Sequence, residues 1–155
     1  MPGLTWQPTE IDPARRASID LHVADAGLIN VSPALALDAT TPGWEGAHPG
    51  QDLIILINLL HLISDAEAET LIRGAARALN PGGVFLIYGP FQRGGELTSE
   101  GDQRFHASLS AHDPEIGYKD DFDVMDLLQE AGLDMEHALE MPANNLALVA
   151  KKPTF

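Results

Sequence analysis

Several polar side chains stand directly after apolar or extended stretches, where they could bind a ligand or move a proton: Glu10 in PTEIDP, Asp38 in ALALDAT, Asn58 and His61 in INLLHL, and Tyr88 with Phe91 in YGPF. A carboxylate has two oxygens and several lone pairs, so Glu10 can accept from both hydroxyls of a ribose. It can equally be a solvated acid favoured by the dipole of a following helix. Asp38 can accept from an exocyclic amine such as that of adenine, or it can form a turn. Asn58 and His61 interrupt a strongly apolar run, so each needs a polar partner, because an unpaired buried polar group costs about 1–3 kcal/mol. They face a ligand or are satisfied core residues; His61 is the side chain best suited to act as a base near neutral pH. Tyr88 and Phe91 line a substrate pocket or close the core. Asp12 reads as a helix cap, and Asn144-Asn145 as a tight turn.

Other chemistries find no support. There is no G-x-S-x-G, P-loop or H-E-x-x-H pattern. Without cysteine there is no disulfide, thiolate metal site or thiol nucleophile. The histidines at 22, 48, 61, 106, 112 and 137 lack metal-ligand spacing, so no metal site is expected.

Strands and helices alternate to position these residues. Leu4–Pro8 reads as a short strand, and Asp12-Pro13 opens a helix that Gly27 closes. Ala34–Leu37 is a second strand. Asp52–Leu60 is a continuous apolar run suited to a strand buried on both faces. Ser64 and Glu67 form a capping-box pattern ahead of Leu71, Ile72, Ala75, Ala76 and Leu79 at helical spacing, and Asn80-Pro81-Gly82-Gly83 ends that helix. Val84–Tyr88 is a further strand. Ser99 with Asp102 starts a short helix, Phe122–Ala131 is another, and Asp134–Met141 and Leu146–Lys151 are the last strands. The order predicts one α/β domain over 1–155 with a mostly parallel sheet and an antiparallel last strand. Ligands of such folds sit at the carboxyl ends of the strands.

The 155 residues carry a net charge of −14 and are 45% apolar, which argues for a globular fold and against generic nucleic-acid binding. The longest apolar run, Leu53–Ile63, is too short to span a bilayer. The opening MPGLTWQPTE lacks the features of a signal peptide. A cytoplasmic location without membrane partners is the resulting expectation.

The order PTEIDP, LALDAT, INLLHL, ALNPGG and VFLIYGPF resembles a class I S-adenosylmethionine (SAM)-dependent methyltransferase with a Rossmann-like sheet, read from its second strand onward. The strings LTWQPTEIDP, INLLHLIS, YGPFQRGGELTSEG and EMPANNLALV are similar to the methyltransferase-like 26 family, an uncharacterised group. The resemblance implies SAM as cofactor, with Glu10 on the ribose, Asp38 and Ala39 at the adenine, and Asn58 near the methionine end and the substrate. It implies a small-molecule or unknown methyl acceptor and names no catalytic base.

The resemblance also implies an upstream strand, an E-x-x-x-G-x-G loop and a helix. No such loop occurs among these residues. Removing a central strand costs on the order of 10 kcal/mol in burial and ladder bonds, comparable with a whole domain's stability. The expectations are therefore a truncated chain, direct pairing of the flanking strands, or a partner chain, including self-association, that covers the exposed sheet. An inactive α/β scaffold acting by association is the alternative to an enzyme.

Overall fold

Two prolines shape the N-terminal region. The computed structural model describes residues 1–155, whose contacts divide into two compact units, Met1–Ala39 and Thr40–Phe155. In the first unit Trp6 bridges Val31 and Thr9 bridges Leu35, both in parallel. The amide of Trp6 donates to Asn30 O at 2.9 Å, and that of Glu10 to Leu35 O at 3.0 Å. Pro8 and Pro33 have no N–H to extend these bridges into a ladder. The strands expected at Leu4–Pro8 and Ala34–Leu37 are thus isolated bridges. Helix α1 (Pro13–Asp25) begins as the sequence predicts: the Asp12 side chain accepts from the amides of Ala14 and Arg15, and Pro13 occupies the first turn.

The second unit contains β1 (Gln51–Ile57), α2 (Asp65–Ala78), β2 (Leu79–Pro90), α3 (Glu100–His112), α4 (Asp121–Glu130), β3 (Asp134–Met141) and β4 (Asn145–Lys151). The four strands form one sheet in the order β1-β2-β4-β3. β1 runs parallel to β2, and β4 runs antiparallel to both its neighbours. Three strands therefore share a direction and the last opposes them, as expected.

Helix α2 carries the capping box: Ser64 N donates to Glu67 Oε2 at 2.8 Å, and Glu67 N to Ser64 Oγ at 3.2 Å. Its apolar stripe, including Leu71, Ile72 and Ala75, is buried. β2 starts earlier than the sequence suggests. Gln51 pairs with Leu79, and pairing resumes at Leu53 with Val84, so Asn80–Gly83 form an irregularity within the strand.

Phe85 and Ile87 of β2 and Leu146, Leu148 and Ala150 of β4 are buried, as are Val124 and Leu128 of α4. The alternate residues Val84, Leu86 and Tyr88 are only half-buried. Pairing sets Ile55 beside Leu86 and Val149, and Ile57 beside Tyr88, Ala147 and Leu139, on this second face. Ile55, Ile57, Leu139 and Met141 are exposed there, Ile57 by 59%. β1 is an edge strand of this sheet.

Candidate functional site

At the carboxyl end of β1 the backbone turns sharply. Asn58 has φ 54°, a left-handed conformation that asparagine tolerates better than most residues. Its amide donates to Tyr88 O at 2.8 Å, tying the ends of β1 and β2 together. Gly89 packs against this turn, where a Cβ would stand 3.4 Å from Asn58 Oδ1, at ordinary contact distance.

A short 3-10 turn, Leu60–Leu62, then carries His61 inward, leaving it 7% exposed. Its ring meets Phe105 and Tyr118 edge-on, at centroid separations of 5.7 and 6.0 Å. The ring nitrogens make no hydrogen bond within the chain, and neither is sealed from solvent. Burial holds the imidazole below its ordinary pKa, and the nearby Lys119 charge pushes the same way. His61 is therefore neutral at neutral pH, with a ring nitrogen able to accept a proton.

Asp102, in the first turn of α3, joins the surrounding segments. Its Oδ1 accepts from Tyr118 OH at 2.7 Å and its Oδ2 from Ser99 Oγ at 2.7 Å. Asn144 Nδ2 also donates to Oδ2, and reaches Thr98 Oγ1 at 2.6 Å. Burial pushes the Asp102 carboxyl up, but the bonds from Ser99, Tyr118 and Asn144, with the charge of Arg93, leave it below the usual range. The Tyr118 phenol is pushed up, by burial first and then by the carboxylate it donates to. The Tyr118 amide donates to His106 Nδ1 at 3.0 Å, which makes that nitrogen an acceptor.

The turn bearing Asn144 is strained, since Ala143 and Asn144 have φ of 58° and 59°. Arg93 braces it. The guanidinium pairs with both oxygens of Glu140 at 2.9 Å and reaches Asn144 O at 3.3 Å. Asn145 Nδ2 donates to Tyr88 OH at 3.1 Å.

In the first unit, Glu10 Oε1 accepts from the Asp12 amide at 3.1 Å while its other carboxylate oxygen has no donor in the chain. Arg16 Nη1 donates to Glu10 O at 2.8 Å and fixes the backbone there. Asp38 is exposed and Ala39 half-buried.

The family model described as a protein of unknown function, DUF938, matches residues 1–152. The chain belongs to the DUF938 family. Its fold is that of methyltransferases of known structure. An O-methyltransferase family protein from Burkholderia thailandensis is similar at TM-score 0.80 and 20% identity, over 99% of this chain and 45% of that one. Human N-acetylserotonin methyltransferase, solved in complex with SAM, is similar at TM-score 0.78 and 20% identity, over 99% and 42%. PigF, solved with SAH, is similar at TM-score 0.78 and 18% identity, over 97% and 49%. The chain spans less than half the length of each of these proteins.

Within the second unit of this DUF938 chain, Asn58 and Tyr88 are brought together, and His61 lies under an aromatic group contributed by Phe105 and Tyr118. Phe91 belongs to the core at 2% exposure. Tyr118 carries no local sequence signal beyond being a lone aromatic inside the acidic loop DPEIGYKDD. A cleft of about 550 Å³ shares Tyr118 and Lys119 with the surroundings of His61 and is otherwise lined mainly by acids, among them Asp65, Glu69, Asp123 and Glu130. No group of three or more His, Asp or Glu side chains is arranged to hold a metal ion. No helix is long and apolar enough to cross a membrane.

Proposed function

We propose that this DUF938 protein is a SAM-dependent methyltransferase acting on a small molecule, and that His61 is its base. The observation that carries the reading is the Glu10 carboxylate, which has one oxygen committed to the backbone and the other without a donor in the chain. That oxygen fits a ribose hydroxyl. Asp38 and Ala39 would take the adenine, and Asn58 the methionine end. The resemblance of LTWQPTEIDP and YGPFQRGGELTSEG to the methyltransferase-like 26 family supports the same reading.

SAM, when bound, supplies an electrophilic methyl group on a sulfonium. The work left to this chain is positioning and proton removal. A neutral His61 can accept the proton of an acceptor hydroxyl, and Tyr88 would line the pocket at the end of β2. Calorimetric titration with SAM tests the proposal. A saturable heat is expected, and its absence on a folded sample would overturn the reading.

A second reading is favoured by the apolar sheet face bearing Ile55, Ile57, Leu139 and Met141. Such a face suits a scaffold acting by association, including self-association. Light scattering tests this second reading. A concentration-dependent dimer that Ile57→Glu abolishes supports association, and a monomer throughout opposes it.

A further inference from the structure

Helix α3 differs from the other helices of its unit. None of its residues is buried, whereas α2 and α4 each bury an apolar stripe. Phe105, its main apolar side chain, is 43% exposed and places its other edge against His61. Leu109 is half-buried and Ser110 Oγ donates to Ile116 O at 3.3 Å, but most of the polar and edge-on aromatic contacts that hold α3 centre on Tyr118 and Asn144. Tyr118 reaches Asp102 with its hydroxyl and His106 with its amide, and Asn144 reaches Asp102 and Thr98.

The segments on either side are better anchored. Gly94 N donates to Asp121 Oδ1 at 2.9 Å, and Gly95 N donates to Asp120. Beyond the helix, Gly117 N donates to His61 O at 3.1 Å, and Lys119 Nζ to Ile63 O at 2.6 Å. Gly94, Gly95 and Gly117 have φ of 59°, 83° and 144°, backbone that other residues adopt at a cost. The chain is thus pinned before and after α3, with permissive residues at both pins and a helix between them that buries no side chain.

We propose that α3 is a lid over His61, latched by Asp102. When the latch is closed, Phe105 and Tyr118 flank the imidazole. When Asp102 releases Tyr118 and Asn144, the helix swings about the glycine-bearing ends and exposes the ring. The lid shares His61 with the methyl-transfer reading, but it is tested on the free chain without cofactor, so either can fail alone.

The test combines hydrogen exchange with carbethoxylation of histidines by diethylpyrocarbonate, both read by mass spectrometry on the full chain. Amides of α3 should exchange well ahead of those of α2. Asp102→Ala should raise both α3 exchange and His61 modification by about tenfold or more, as loss of bonds to a charged group predicts. Exchange in α2 and β2 should not change. Equal protection of α3 and α2 in the native chain would overturn the proposal, as would an unchanged rate of His61 modification in the variant. If Asp102→Ala loosens α2 as well, Asn144→Ala takes its place, because it removes the turn's hold on α3 and leaves the Tyr118 bond intact. The same two outcomes then decide.

Discussion

The hydroxyl of Tyr118 donates to Asp102 Oδ1 at 2.7 Å, linking the first turn of α3 to the segment that follows the helix. The same phenol ring lies edge-on to His61, Phe105 and His106. One residue thus couples the placement of a helix to the surroundings of the histidine proposed as base.

Tyr118→Phe keeps the ring and removes the bond. Hydrogen bonds to charged groups contribute roughly 1.5–3 kcal/mol, and burial of the pair is incomplete, so a loss of about 1–2 kcal/mol is expected. Urea denaturation should show a lower midpoint with an unchanged slope. A midpoint equal to that of the native chain contradicts the assigned bond.

Gly74 lies under Trp44, where a Cβ would fall 2.4 Å from Nε1 and 2.7 Å from Cε2 of the indole. In a free helix Gly→Ala stabilises by about 1 kcal/mol. Here overpacking of about 1–3 kcal/mol opposes that gain. Gly74→Ala should therefore lower the thermal midpoint and shift the tryptophan emission. A raised midpoint would show that Trp44 does not pack as described.

Ala143 holds a left-handed conformation at φ 58°. That conformation costs about 1–2 kcal/mol for an L-residue with a side chain, and glycine avoids it at a smaller entropic cost. Ala143→Gly should raise stability by about 0.5–1 kcal/mol, measured by urea denaturation. A destabilised variant would contradict the turn geometry.

His61 gives stability a pH dependence. Its folded pKa lies below the ordinary 6.5 because burial disfavours the charge. The unfolded chain therefore binds the proton first as the pH falls. Stability from this group is complete above 6.5 and is lost as the pH falls through that value toward the depressed one. Asp102, also depressed, loses its contribution only below its ordinary 3.8. The urea midpoint should thus be lower at about pH 5.5 than at about pH 7.5, and His61→Gln should shrink the difference. An equal difference in the variant would assign the effect to other groups.

Local rules explain what the sequence made legible. The capping box at Ser64 and Glu67 and the Asp12 cap act through bonds between near neighbours, and both form as read. The run DLIILINLL marked β1, with Asn58 and His61 conspicuous beside it. Leu4–Pro8 and Ala34–Leu37 read as strands by their apolar content, yet Pro8 and Pro33 deny them ladders. The Asp102 hub was not legible. Its partners Tyr118 and Asn144 are 16 and 42 residues away in the chain. Only the return of the segment after α3 and the β3–β4 turn brings them together.

Glu10 is the residue proposed to hold the ribose of a SAM-type cofactor. Calorimetric titration of SAH into the native chain and into Glu10→Gln, side by side, tests it most directly. Saturable binding to the native chain is expected, with affinity lower by about tenfold in the variant, as loss of a charged hydrogen-bond acceptor implies. No binding to a folded native chain, or equal affinities, would contradict it.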